Sequence, residues 1–320
     1  MGTLDWITFS LEPIAPFRLD LIVWVLRRRA DNVIDRWDGN TYRRVLIMQG
    51  QPLEIEVAQT GSSDKPLLQV TAKGNALPLE ARTFVTSALT RMLGTNVDLT
   101  EFYRFTEHQP KLDALALQFQ GVKPPLFPTI FEALVNALAC QQLSLTVGIL
   151  LLNRLAERYG QSIEKQGVAF PAFPDPENLA LLAPEALRTQ GFSHQKARAI
   201  IELASAIAEK QVNLDELKNL SNEAAVDRLR KLRGVGRWSA EYVLLRGFGR
   251  LDVFPGDDVG ARNNLQRWLG LPEALDYQGM RDSIAPWSAY GGLIYFHLLL
   301  KRLTDAGLLD SGKEIGRKDG

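Results

Sequence analysis

Two adjacent carboxylates, Asp257 and Asp258, end a short arm (DVFPGDD, starting at Asp252) just ahead of a segment whose Leu265, Trp268 and Leu269 share an apolar face. One of the pair is placed to cap that helix. Its oxygens would accept backbone N–H bonds where the helix dipole is positive, a setting that favours the ionised form. A fixed anion of this kind can steady a cation that develops on a substrate. By itself an Asp-Asp before a helix is usually a plain cap, so its surroundings decide. Upstream, Trp238 and Tyr242 fall one helical turn apart on a common face. Such a pair either lines a stacking slot or belongs to the core.

Between the aromatics and the preceding helix lies a compact corner, Gly234, Val235 and Gly236. Ser221 or Asn222 can cap a helix with Ala225, Val226, Leu229 and Leu232 on one face, and a second helix starts at Arg237. Glycines supply the positive φ angles a tight turn needs, and Val235 can tuck inward. The product is a helical hairpin whose bare backbone N–H groups, at the start of the second helix, can approach a phosphate closely. Arg228, Arg230, Lys231, Arg233, Arg237, Arg246 and Arg250 surround it, against only Asp227 and Glu241. The patch favours a polyanion over a merely solvated basic face.

The elements that position these residues fall into two kinds. The first ninety or so residues mix periodicities: a helix after Pro16 with Leu19, Ile22, Val23 and Leu26 inward, then strands near 33–37, 42–48, 53–58 and 67–71, punctuated by turn residues. This predicts an N-terminal α+β domain over 1–88 carrying a small antiparallel sheet. From there to 310 helical spacing takes over, at 81–93, 127–139, 147–159, 184–190, 194–210, 222–232, 237–245, 258–269 and 289–303. The fold class is mostly α, with the hairpin at 222–246 and a polar tail at 311–320.

The chain has 320 residues, 37 basic and 37 acidic, so any nucleic-acid surface must be a local patch. One cysteine, Cys140, excludes an internal disulfide and a four-thiolate metal site, and the three histidines are scattered; no metal is expected. The start has no leader-like pattern, and the apolar run at 284–300 is short and broken by Pro286, Gly291 and Gly292. The expected setting is intracellular, cytoplasmic or nucleoid-associated, with no membrane and no obligate protein partner.

The hairpin from Leu232 to Trp238, followed by DVFPGDD, resembles the helix-hairpin-helix DNA glycosylase superfamily, and within it the alkylation-repair type that removes 3-methyladenine. The likeness continues upstream in ALACQQLS (from Ala137) and GFSHQKA (from Gly191). The resemblance implies double-stranded DNA containing damaged bases as partner, base flipping, and hydrolysis of the N-glycosidic bond in base excision repair. It implies that Asp258 is the catalytic carboxylate, that Trp238, Tyr242 and Trp287 form the base pocket, and that Gly234, Val235, Gly236 and Arg237 hold DNA. Gln142 would fill the space left by the flipped base, with Leu143 beside it. Bifunctional members carry a lysine where this chain has Trp238, which implies a monofunctional enzyme. No cofactor is implied beyond a monovalent ion at the hairpin. Val259 and Ser288 depart from the alkylation type's pocket tyrosine and arginine, which bears on base preference and leaves a glycosylase for deaminated or oxidised bases as an alternative; a second alternative is a non-catalytic DNA-binding protein that uses the hairpin only to hold phosphate.

Overall fold

A computed structural model describes residues 5–75 and 77–309; the polar tail expected at 311–320 lies outside them. The chain begins with β1 (Asp5–Leu11) and α1 (Leu19–Arg27), then β2 (Arg36–Trp37), β3 (Thr41–Met48), β4 (Gln51–Gln59) and β5 (Leu68–Gly74). These strands form an antiparallel sheet in the order β1-β5-β4-β3-β2. The N-terminal strand was not expected from its residues. Ile7, Phe9 and Leu11 of β1 turn toward the core while Trp6, 70% exposed, Thr8 and Ser10 face outward; the alternation is there, but it rests on three inward residues of which only Phe9 is buried.

Helices follow: α2 (Ala81–Leu93), α3 (Thr100–Thr106), α4 (Pro110–Gln118), α5 (Ile130–Cys140) and α6 (Leu145–Tyr159). A small hairpin of β6 (Ser162–Lys165) and β7 (Val168–Pro171) interrupts them, and a single bridge from Val45 to Ala172 ties it to the main sheet. Next come α7 (Pro176–Ala180), α8 (Pro184–Arg188), α9 (His194–Ala208), a 3-10 turn at Leu214–Asn219, α10 (Asn222–Leu229) and α11 (Arg237–Arg246). The chain closes with α12 (Val259–Leu269), α13 (Tyr277–Ile284), a 3-10 segment at Ala285–Tyr290 and α14 (Gly291–Asp305).

Two apolar cores divide the molecule. One surrounds the sheet and α1 and takes in Leu265 of α12 and Ile294, Phe296 and Leu300 of α14, so packing is continuous across residue 88. The other gathers α5, α6, α9, α10 and most of α11. A buried ion cluster ties the sheet to the helices. Arg44 of β3 donates to Asp35 (2.8 Å) and to Glu132 Oε1 of α5 (2.7 Å), and the Tyr42 hydroxyl donates to Asp35 (2.7 Å). The site lies where the two cores meet.

Candidate active site

The hairpin forms as the glycines and cap predict, with one refinement. Ser221 Oγ accepts the Ala224 N–H and starts α10. Gly234 has φ +76°, and a Cβ there would sit 3.1 Å from Ala199 and 3.2 Å from Leu138. Gly236 is different: its backbone is extended, and a Cβ would meet nothing within 4 Å. It leaves open space in front of α11, whose first N–H groups have no side-chain cap. Val235 between them is buried.

The expected basic patch is smaller than its sequence suggests. Arg228, Arg230, Lys231, Arg233 and Arg237 are exposed around the turn. Arg246 is fully buried, donating to the Val25 carbonyl and lying over the Phe127 and Phe296 rings. Arg250 is held by Asn222 and the Leu217 carbonyl. Arg246 leaves the candidate DNA face because its place on α11 turns it into the core, and Arg250, in the loop after α11, because its guanidinium is spent on those two oxygens.

From α11 the site grows outward. Trp238 and Tyr242 stack, ring centroids 5.5 Å apart at 29°. Glu241, between them in sequence, faces the other way: its carboxylate accepts the Gly256 N–H at 3.0 Å and the Tyr277 hydroxyl at 2.8 Å, and burial raises its pKa above the usual carboxylate range. It thereby pins the arm that carries Asp258. The arm passes so close that a Cβ on Gly256 would lie 2.7 Å from the Tyr277 ring, which Glu241 holds in place, so a side chain there would have to displace that ring as well as the tip of Met280.

Asp258 is the N-cap of α12. Its Oδ1 accepts the Ala261 N–H at 2.9 Å, while Oδ2 accepts the Trp238 indole N–H at 3.4 Å and the Tyr295 hydroxyl at 3.3 Å. Desolvation, then the Asp258 charge, holds the Tyr295 hydroxyl well above its ordinary range, so it remains a donor. Among the described residues Asp258 takes part in no ion pair. Its neighbour Asp257 does, with Arg237 at 2.7 Å and Arg262 at 3.7 Å, and Arg237 lies over the Tyr277 ring.

These groups open into a cleft of about 850 Å³ lined by Trp238, Tyr242, Asp258, Val259, Tyr295 and Leu299 among others. Gln142 and Leu143, also at its edge, project from an exposed turn in which Gln142 has φ +53°. Trp287 is not brought to the cleft. It sits in the 3-10 segment, 5.4 Å from Trp268, with its indole N–H on Gln109 Oε1 (3.3 Å). Tyr295 and the leucines of α14 form that side of the cleft instead. Sequence reading also missed Arg28, which reaches the cleft floor from the end of α1 and donates to the Tyr242 hydroxyl at 3.2 Å. The triple arginine after α1 reads only as a basic helix end. Tyr295, a phenol inside an apolar helix, was the one visible signal.

Comparison with known proteins agrees with this geometry. Residues 135–288 match the family described as HhH-GPD superfamily base excision DNA repair protein. The chain is 30% identical over 201 residues to a DNA-3-methyladenine glycosylase of Bacillus subtilis (63% of this chain, 66% of the relative). It is 32% identical over 173 residues to DNA-3-methyladenine glycosylase 2 of Escherichia coli (53% and 58%). The matches thus span somewhat under two thirds of these curated relatives. Among solved structures, a 3-methyladenine DNA glycosylase from Archaeoglobus fulgidus superposes with a TM-score of 0.80 at 26% identity, covering 91% of this chain and 97% of that one. An 8-oxoguanine glycosylase/lyase from Clostridium acetobutylicum, at 16% identity and TM-score 0.71, shares the fold. The chain therefore belongs to the helix-hairpin-helix superfamily of base excision DNA repair proteins.

Proposed function

We propose that this protein is a monofunctional DNA glycosylase that flips alkylated purines of the 3-methyladenine type out of double-stranded DNA and hydrolyses the N-glycosidic bond. The reading rests above all on Asp258, a carboxylate held by neutral donors at the end of a stacked Trp238–Tyr242 pair. Cleavage of a sugar–base bond passes through an oxocarbenium-like state, and an uncompensated anion beside the ring stabilises it. A purine methylated at N3 or N7 is already cationic, so it leaves without a general acid. Its charge also favours electron-rich rings such as Trp238 and Tyr242. His297 is buried against Phe102, and neither it nor His194 lines the cleft.

The same geometry accounts for the absence of a strand-cutting step. Trp238 occupies the position of the lyase lysine in bifunctional members, and the lysine that does line the cleft, Lys196, directs its amine to the Ala139 and Gln141 carbonyls. Without a free amine at the sugar no Schiff base forms. The hairpin amides and Arg237 would hold the phosphate, and Gln142 with Leu143 would enter the duplex. A monovalent ion at the turn would be held by backbone oxygens. Those of Leu229, Leu232 and Gly234 each accept one hydrogen bond and keep a second lone pair.

The test is single-turnover incubation with duplexes that each carry one lesion. The expected result is base release from N3- or N7-methylpurine duplexes, leaving an abasic strand that stays intact until treated with alkali. Salt-dependent binding without release would mean a non-catalytic module, and nicking without alkali would contradict the monofunctional assignment.

A further inference from the structure

The turn that would enter the duplex and the hairpin that would grip phosphate are separate in sequence, yet two side chains with no part in the chemistry join them. Helix α5 ends at Cys140, where its last carbonyls have no helical partner. Lys196, in the first turn of α9, extends across to this end and donates to the Ala139 carbonyl at 2.9 Å and the Gln141 carbonyl at 2.6 Å. Its own backbone is fixed by the Ser193 cap. Gln141 then reaches the other way, its amide donating to the Gly234 carbonyl at 2.8 Å and to Ser239 Oγ at 2.6 Å. The hairpin glycine itself packs on Leu138 of α5 and Ala199 of α9, so three elements converge on one point.

Directly after this junction Gln142 adopts φ +53°, a left-handed backbone that a glutamine rarely takes without support. The support visible here is three hydrogen bonds at Gln141, one accepted by its carbonyl from Lys196 and two donated by its side-chain amide. Ser144 caps α6 on the far side of the turn and closes it.

We propose that Lys196 and Gln141 are positioning residues that lock the duplex-entering turn to the hairpin, so that gripping a phosphate and inserting Gln142 occur as movements of one rigid unit. Neither residue touches the reacting sugar in this scheme. Their effect runs through the placement of Gln142 and Leu143. The inference takes the site's role in DNA from the proposed function, but it makes a claim about duplex distortion that is measurable without base release.

The experiment uses the full chain and a duplex containing 2-aminopurine next to a lesion or mismatch, whose emission rises when the base unstacks. Gln141→Met and Lys196→Met are compared with Lys196→Arg, which retains donors for both carbonyls. Both Met variants are expected to bind duplex within about threefold of wild type, because the phosphate-gripping amides are intact. The emission rise should fall by about half or more, and single-turnover release from a methylated duplex should slow about tenfold or more. Lys196→Arg should restore both. Met variants that unstack the probe as fully as wild type overturn the proposal, as does a wild-type protein that produces no emission rise. A wild type that raises emission but releases no base contradicts the glycosylase reading and leaves this one standing.

Discussion

Two groups of carboxylates sit near the junction of the cores and are treated in opposite ways. Asp35 and Glu132 are almost fully buried and share the Arg44 guanidinium, with side-chain exposures of 3%, 4% and 1%. Burial, ahead of the opposing pull of Arg44, holds Glu132 above the ordinary carboxylate range. Asp258 is half-buried, opens on the cleft, and is met only by an amide, an indole N–H and a phenol. A carboxylate with a cation beside it is neutralised and serves to join two parts of the fold. One surrounded by neutral donors is oriented yet keeps its charge available to a substrate. Asp257, one residue away and paired with Arg237, shows how narrowly the distinction is drawn.

The comparison breaks most visibly if each group is altered in turn. Asp258→Asn keeps an oxygen to cap α12 but removes the charge. Single-turnover excision is expected to fall about 10³-fold or more, with the duplex dissociation constant changed less than about threefold. Arg44→Met should act in the reverse sense. It strands two buried carboxylates and is expected to cost about 3–5 kcal/mol in a urea titration, while the folded fraction excises at close to the wild-type rate. If Arg44→Met affected excision alone, the buried cluster would belong to the site.

A third buried group sharpens the electrostatic picture. Burial lowers His297 to about 4, with its Nδ1 against the Leu293 carbonyl at 2.7 Å. Unfolding restores the ordinary value of about 6.5, so the unfolded chain binds the extra proton between these two values. Stability is therefore whole above about pH 6.5 and is lost as pH falls toward 4, by about 3 kcal/mol at most. His297→Leu should flatten that part of the stability–pH curve without changing excision at neutral pH; an unchanged curve would contradict the assignment. Smaller still, Tyr295→Phe removes one of the two donors to Asp258 Oδ2 and should slow excision about tenfold. The least effect is expected of Trp287→Leu, set against Trp268 away from the cleft, with excision within about threefold of wild type. A loss as large as that of Trp238→Leu would mean that Trp287 moves into the cleft when DNA binds.

What was legible in the sequence was whatever is governed by local chemistry. The Gly234 turn, the Ser221 cap and the Asp258 cap each follow from a residue type and its immediate neighbours, and they sit where the spacing places them. α2 spans the residues its periodicity indicates. α3 and α4 went unseen; their seven and nine residues bury few side chains, which leaves little period to detect. β6 and β7, four residues each, are too short for alternation to register. In the site, Arg28, Tyr295 and Lys196 arrive from segments far from the hairpin: Lys196 lies in the GFSHQKA segment and Tyr295 is a phenol in an apolar helix, but neither signal says where the side chain goes, and Arg28 carries none. Trp287 was misplaced for the same reason in reverse: a recognised motif position carried a role that the packing of the 3-10 segment against Trp268 does not support here.

The claim that Asp258 serves a developing sugar cation is tested most directly by binding, without chemistry. Affinity is measured for two duplexes that differ at one site, one carrying a cationic pyrrolidine in place of the sugar and the other a neutral tetrahydrofuran. Wild type should prefer the cationic ring by about tenfold or more, and Asp258→Asn should bind the two nearly alike. An equal preference in wild type and variant would contradict the account.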